Sequence, residues 1–314
     1  MKKSLLKLAV LGALSISASS AMAAFVTLPT SGATAYATCF AGSNYGAQPD
    51  AAFPPVGGAC VAPNGGGAAL LFASIPEAGF AASGGGVTNP ITAFAETVAT
   101  LNERVWRNAG TSQCIYGKQV IMNNAAVNDY NPQKAGAQKM EVNDFAFGGY
   151  TGTVSVAYAK QLVGYSSTYR VGRTFTSVQM QPNVIGGATI AAGFLALPTA
   201  AGVLGTEIYG FGQTAGAAGT PPGPVPGTAG GGSQQAPFSG THNWVDFTTD
   251  VTAAVDEDGS TNPASPNMYI KQSCAAGTVT ATAGNFKMRQ TGQETQPWIT
   301  VTGTSRAPGL SIAP

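Results

Sequence analysis

The chain has 314 residues, only 9% of which are charged, and its formal net charge is +1. Globular proteins usually carry about 25% charged residues, so hydroxyl, amide and backbone groups must hydrate much of this surface. Such weak charge excludes the basic surface that binding to nucleic acid or anionic lipid requires. The 42 glycines, roughly twice the usual share, are typical of secreted bacterial surface proteins, as are the abundant Ala, Ser and Thr.

The N terminus predicts a secretory signal peptide over residues 1–23. Three lysines flank the start of a mostly apolar run, residues 5–16, and Ala21-Met22-Ala23 places small residues at the cleavage positions. Cleavage would remove Lys2, Lys3 and Lys7, leaving 12 of the 15 basic and all 14 acidic residues. We expect a bacterial protein that is secreted to an extracellular or cell-surface location, or else to the periplasm. No later run of ~20 apolar residues follows, so we expect no transmembrane segment.

Four cysteines in an exported chain predict two disulfides. Three pairings are possible, and the order in the sequence favours Cys39 with Cys60 and Cys114 with Cys274. The chain has no Cys-x-x-Cys motif, which argues against redox catalysis and against a thiolate zinc site.

Residues 24–88 form a Gly/Ala/Pro-rich region after the signal peptide. Turn-forming residues separate three strand-like pieces, residues 25–28, 33–40 and 68–75. This composition predicts a loop-rich accessory region held by the disulfide Cys39–Cys60. Two interpretations remain open: a flexible arm, or an edge that pairs with a neighbouring molecule.

A short helix is predicted next, beginning at Asn89. Asparagine suits the N-cap, and Pro90 suits the first helical position. Apolar residues then follow at helical spacing: Ile91, Phe94, Ala95 and Val98.

Short segments of alternating character fill most of the remaining chain and predict strands. They cover residues 101–107, 114–123, 140–147, 151–163, 168–179, 244–255, 267–274, 278–283, 285–290 and 297–302. Strands this short and this regularly spaced indicate an all-β fold, an antiparallel β-sandwich of jelly-roll-like form over residues 89–306.

Residues 182–240 interrupt this sandwich as a long loop insertion. Its later part, residues 214–239, is rich in Pro and Gly and cannot build a packed core. The insertion is either a disordered loop or a loop ordered against a neighbouring subunit. A short tail, residues 307–314, ends the chain.

The densest run of carboxylates, Asp256-Glu257-Asp258, lies between two predicted strands. Carboxylate oxygens are the ligands that Ca²⁺ prefers, and Gly259 permits a sharp turn. Asp256 and Asp258, with Asp250 or Asp246, therefore form a candidate Ca²⁺ site, and Ca²⁺ is the one cofactor the sequence suggests. The distal Glu of an EF-hand is missing, so the alternative is a solvated acidic hairpin.

Signals for catalysis are poor, and we expect no enzyme. His242 is the only histidine and no Gly-x-Ser-x-Gly motif occurs, so neither a Ser–His–acid triad nor a nucleophile elbow is indicated. A glycosidase needs two facing carboxylates, which Glu103, Glu141 and Asp144 could supply. Any chain with 14 acidic residues offers such a pair, so this signal is weak.

Three tryptophans are candidates for a glycan-stacking surface: Trp106, Trp244 and Trp298. The alternative is that they anchor the core, as large aromatic side chains more often do.

These features favour a structural or adhesive protein of the bacterial surface. We expect a subunit of an extracellular assembly that contacts copies of itself or other cell-surface proteins. The alternative is a secreted β-sandwich module that binds a glycan or Ca²⁺, and an extracellular hydrolase is a distant third.

Overall fold

The computed structural model describes residues 25–28, 36–39, 60–64, 72, 74–130, 136–150, 152–159, 168, 170–172, 184–185, 188–189, 244–254, 263–275, 281–290 and 299–306. In these ranges all regular structure is strand, and no helix occurs. The prediction of an all-β fold is therefore confirmed.

Fifteen strands follow one another through these ranges. They are β1 Val26–Thr27, β2 Tyr36–Thr38, β3 Ala81–Ala82, β4 Val87–Ala93, β5 Glu96–Asn108, β6 Gln113–Met122, β7 Glu141–Gly148, β8 Ser155–Ala159, β9 Arg170–Gly172, β10 Val184–Ile185, β11 Ala188–Thr189, β12 Trp244–Thr252, β13 Asn267–Ser273, β14 Ala281–Gln290 and β15 Ile299–Arg306.

Two antiparallel sheets contain nearly all of these strands. Sheet A has seven strands in the order β1-β8-β13-β6-β5-β3, with β4 also pairing with β5. Sheet B has six strands in the order β15-β14-β7-β12-β9-β2, and β10 and β11 form a separate two-stranded sheet. The jelly-roll-like connectivity stays a prediction.

The main core contains inward-facing side chains from both sheets. Alternation along a strand sends every second residue to the same face. In sheet B the ring centroid of Phe147 lies 5.3 Å from that of Phe286 and 6.1 Å from that of Phe247. Sheet A contributes Leu101, Tyr116, Val120 and Ile270 to the same buried cluster. Each such side chain stabilises the fold by roughly 1.5–3 kcal/mol.

The helix predicted from Asn89 is wrong. Strands β4 and β5 form a hairpin there, turning at Phe94 and Ala95, whose φ angles are +50° and +65°. Two successive positive φ angles are the geometry of a tight hairpin turn. Pro90 fits because β4 pairs with β5 at the border of the sheet, where a missing N–H removes no ladder bond.

Two further differences from the predicted strands concern residues 68–75 and 278–290. The strand predicted over residues 68–75 does not form in its described part, where Phe72 lies in a turn with φ +51°. The strands predicted over residues 278–283 and 285–290 are parts of one strand, β14. Its pairing with β15 shifts register between Ala283 and Phe286, where Gly284 has φ +81°. Two extra residues in β14 and a positive φ indicate a β-bulge of the larger kind, which interrupts the alternation without ending the strand.

The region before β4 packs against both sheets. We call residues 25–83 the N-terminal arm. Its strand β1 pairs with β8 in sheet A, and its strand β2 pairs with β9 in sheet B. Phe72 and Phe80 of the arm join Trp106, Ile115 and Tyr269 in a second buried cluster on sheet A. The arm therefore contributes to the edges of both sheets and to a face of one.

Candidate functional site

The candidate Ca²⁺ ligands are only partly within the described residues. Asp256 and Asp258 lie outside them, and the side chain of Asp250 is not among those described. Asp246 lies in β12 and is 3% exposed. In the described part of the chain, no group of three or more His, Cys, Asp or Glu side chains could hold a metal ion.

The prediction of an acidic hairpin is wrong. Strand β12 lies in sheet B between β7 and β9, whereas β13 lies in sheet A between β8 and β6. The chain between them, which contains Asp256 and Asp258, therefore connects two sheets. A hairpin would have joined neighbouring strands of one sheet.

The three tryptophans do not share one surface in the described structure. Trp106 is 1% exposed, with its ring centroid 5.5 Å from that of Phe72 and 5.9 Å from that of Tyr269. Trp298 and His242 lie outside the described residues. Trp244 is partly exposed, and Lys287 Nζ lies 5.8 Å from its ring centroid. Trp106 is thus placed as a core residue, and of the two described tryptophans Trp244 is the partly exposed one.

Charged residues lie on the same face of sheet B as Trp244. Because Phe145 and Phe147 point into the core, Asp144 and Ala146 between and beside them point outward. Register places Asp144 opposite both Thr248 of β12 and Arg289 of β14. Asp144 and Arg289 are fully buried. This face therefore holds two buried, opposite charges, Asp144 and Arg289, at paired positions of neighbouring strands.

A second charged cluster lies in the core between the sheets. Glu103 of β5 and Lys118 of β6 are opposite each other in register, and Lys118 Nζ contacts Glu103 Oε1 directly. Ser305 Oγ lies 2.8 Å from that Oε1 and 2.7 Å from Lys118 Nζ. The backbone N–H of Arg306 donates to both carboxylate oxygens, at 3.0 and 3.3 Å. Since Ser305 and Arg306 belong to β15, the cluster joins sheet A to sheet B.

The electrostatics of this cluster favour an ionised Glu103. Burial raises the pKa of the Glu103 carboxyl, but the charge of Lys118 and the hydrogen bonds from Lys118, Arg306 and Ser305 outweigh burial. The pKa of Glu103 therefore lies below its ordinary value. Burial lowers the pKa of Lys118, and Glu103 opposes that change.

The clustered charges do not form the facing carboxylates of a glycosidase in the described structure. Glu103 lies in the core and binds Lys118, whereas Asp144 lies on the outer face of sheet B. Glu141 is in β7, where its backbone N–H donates to Gln290 Oε1 at 3.1 Å. The sequence did not predict the pairing of Glu103 with Lys118. Alternation predicts which face of a sheet a side chain lies on, but it does not predict which residue of the neighbouring strand lies opposite.

Both predicted disulfides are confirmed. Cys39 binds Cys60, with Cα atoms 5.2 Å apart, and Cys114 binds Cys274, with Cα atoms 5.7 Å apart. The first bond lies within the N-terminal arm. The second joins the end of β13 to β6. Two disulfides indicate an oxidising compartment, as outside the cell or in the periplasm.

Comparisons with known proteins identify no relative. No protein-family model, curated protein or solved structure matches the chain. In the ranges that the structure describes, no helix is long and apolar enough to cross a membrane.

Proposed function

We propose that the chain is a secreted structural or adhesive protein of the bacterial surface, acting as a subunit of an extracellular assembly without catalysis. The signal peptide predicted over residues 1–23 supports export, and the two disulfides suit an oxidising compartment. Low charge supports close contact between copies, because little like-charge repulsion opposes it.

The N-terminal arm is the observation that carries this proposal. Between residues 25 and 83 the only charged residues are Asp50 and Glu77, yet the arm supplies strands to the edges of both sheets. Sheet edges are where one chain most readily adds a strand to another. A segment with so few charges and with strand character is therefore suited to contacts between subunits.

Sedimentation of the secreted full-length protein tests the proposal. We expect species heavier than the monomer whose fraction grows with concentration, and negative-stain images that show regular assemblies. A protein that stays monomeric at high concentration, with no cell-associated fraction, would refute the assembly. Deleting residues 25–40 is a poor substitute for this test, because it removes Leu28 and Cys39, which are each 1% exposed.

A Ca²⁺- or glycan-binding module is the second candidate. The partial exposure of Trp244, with Lys287 Nζ 5.8 Å from its ring centroid, favours the glycan-binding form. If Asp256 and Asp258 bind Ca²⁺, Ca²⁺ at ~100 times its Kd stabilises the native state by about 2.7 kcal/mol. The Tm should then rise with Ca²⁺, and Asp258→Asn should abolish the rise. The control Asp129→Asn changes a carboxylate that accepts the N–H of Gln138 at 3.1 Å, and it should keep the rise. An equal rise in Asp258→Asn would refute the site.

A further inference from the structure

We propose that the N-terminal arm is exchanged between copies of this chain, so that the arm of one copy completes the sheet edges of the next. This inference rests on the proposed assembly and names the contact that builds it. The occupant of the docking surface is a second copy of residues 25–83.

The arm covers one edge of sheet A with two separate pieces. Strand β1 pairs Val26 with Val156 and Thr27 with Ser155, and the N–H of Leu28 donates to Val154 O at 2.9 Å. Farther along β8, the N–H of Ala62 donates to Tyr158 O at 2.9 Å, and the N–H of Tyr158 donates to Cys60 O at 2.6 Å. The hydrogen-bonding groups of this edge are thus completed by the arm.

The same arm covers the corresponding edge of sheet B. Strand β2 adds to β9 through three residue pairs, Tyr36 with Gly172, Ala37 with Val171 and Thr38 with Arg170. Without the arm, both sheets would present open edges, which are templates for a strand from another chain. The arm of every copy has the same sequence, so the arm of a second copy can make the same strand pairings at these edges.

No disulfide ties the arm to the sheets that it covers. Cys39 and Cys60 both belong to it, so their disulfide closes a loop inside the arm and does not tie the arm to the sandwich. Residues 84–86, three exposed glycines, connect the arm to β4. Gly84 has φ +74°, a conformation that other residues rarely adopt. These glycines can serve as the hinge of the exchange. To leave, the arm must break the pairing of β3 with β5 and the hydrogen bond from Ser83 N–H to Val105 O, and make both again on the second copy. The hydrogen bond from Arg306 Nη2 to Gly85 O must also open.

Exchange would cost little in contact energy. The arm would make the same contacts on a second copy that it makes on its own, including the ion pair in which Lys271 Nζ lies 2.6 Å from Glu77 Oε2. Because these contacts are the same in both forms, the equilibrium between the closed monomer and the exchanged form depends on the conformation of the hinge and on the protein concentration. Successive one-way exchange builds an open chain of subunits.

Two single-cysteine variants test the exchange. Thr27 and Ser155 are opposite each other in register, with their Oγ atoms 3.0 Å apart. The four native cysteines are all in disulfides, so an engineered cysteine is the one free thiol of each variant. We expect a mixture of full-length Thr27→Cys and Ser155→Cys, assembled and then oxidised, to give a covalent dimer on non-reducing electrophoresis. The control mixture of Thr27→Cys with Thr302→Cys, which is exposed on β15 at the far edge of sheet B, should give none.

A double variant separates failure of the exchange from failure of assembly. With Thr27→Cys and Ser155→Cys in one chain, exchange predicts bonds between chains in the assembled fraction and bonds within chains in the monomer. Bonds solely within chains in a protein that still assembles would overturn the exchange and leave the proposed function standing. A protein that stays monomeric, with bonds solely within chains, would overturn both. If the double variant does not fold, the mixture of single variants decides.

Discussion

Glu103 shows how much one residue's role depends on distant parts of the chain. Alternation in residues 101–107 predicts correctly that Glu103 shares a face with Leu101 and Val105. It groups a carboxylate with two apolar residues, however, and gives no reason for a carboxylate there. The reason is Lys118 on the next strand and β15, which is about 200 positions later and supplies Ser305 and Arg306. Partners this far apart in sequence are set by topology, which a local pattern does not encode.

Removing one member of the Glu103–Lys118 pair should be costly. Glu103→Gln leaves the buried Lys118 ammonium without its counter-charge, so the free energy of unfolding should fall by about 3–5 kcal/mol. The double variant Glu103→Leu with Lys118→Met removes both charges and should recover most of this loss. Urea unfolding measures all the variants. The control Glu77→Gln breaks the more exposed pair with Lys271 and should cost at most about 1 kcal/mol; equal costs at the two sites would contradict the assignment.

The lowered pKa of Glu103 predicts a loss of stability in acid. The unfolded chain takes up a proton at the ordinary pKa of 4.5, while Glu103 in the folded chain stays ionised to a lower pH. Stability from this group is therefore complete above pH 4.5 and is lost as the pH falls through the folded pKa. The free energy of unfolding measured against pH should decline below 4.5 more steeply in the unaltered protein than in Glu103→Gln. Parallel curves would show that Glu103 is not the group responsible.

The β4–β5 hairpin shows why a local pattern can predict the wrong element. Asn89 and Pro90 resemble a helix start, and Ile91 and Val98 are seven positions apart, as on one face of a helix. In the structure Ile91 and Val98 are buried in the same core from two paired strands. A turn between them at Phe94 and Ala95 brings the two together. Neither residue is a usual turn former, so the sequence carried little sign of this turn.

Close packing between strands of sheet A explains a glycine in the middle of β6. A Cβ atom at Gly117 would lie 2.6 Å from Trp106 Cζ3 and 2.8 Å from Phe72 Cε1. Gly117→Ala should therefore lower the free energy of unfolding by about 1–3 kcal/mol, as overpacking of a filled core does. The matched control is Gly85→Ala, where a Cβ meets nothing within 4 Å, and denaturant unfolding should show a much smaller change. Equal effects of the two substitutions would mean that Trp106 and Phe72 do not lie against β6.

The strands on either side of the acidic run show a second limit of prediction. Residues 244–255 and 267–274 both predict strands, and the structure has β12 and β13 in those places. Their proximity in sequence favoured a hairpin, yet they lie in different sheets. Both strands have apolar residues facing the main core, from opposite sides. A hairpin in one sheet and two strands in different sheets would show the same alternation. Which of the two forms depends on the strands that β12 and β13 pair with, and alternation does not predict these.

At the scale of the whole molecule, the sequence predicts the all-β fold class, the disulfides and the oxidising compartment that they indicate better than it predicts the placement of the arm. Composition predicts a loop-rich accessory region over residues 24–88. In its described part the structure has three strands of two or three residues each, β1, β2 and β3, and the start of β4. Docking of the arm on both sheets was not predicted, because such short strands gain their stability from the edges that they join.

The two disulfides should therefore protect different parts of the molecule. Cys114 and Cys274 are separated by 160 positions and lie in sheet A, so replacing both with Ala should lower the stability of the whole sandwich by up to about 5 kcal/mol. Cys39 and Cys60 are separated by 21 positions within the arm, and the same change there should cost about 3 kcal/mol. Loss of the Cys39–Cys60 bond should appear mainly as release of the arm, because that bond does not hold the sheets together.

Hydrogen exchange measured peptide by peptide distinguishes the effects of losing the two disulfides. Loss of the Cys39–Cys60 bond should speed exchange in β1, β2 and β8 while leaving β14 and β15 protected, and loss of the Cys114–Cys274 bond should speed exchange throughout. Equal acceleration in β14 after the first change would mean that the arm and the sandwich unfold as one unit, which would also remove the physical basis for exchanging the arm alone.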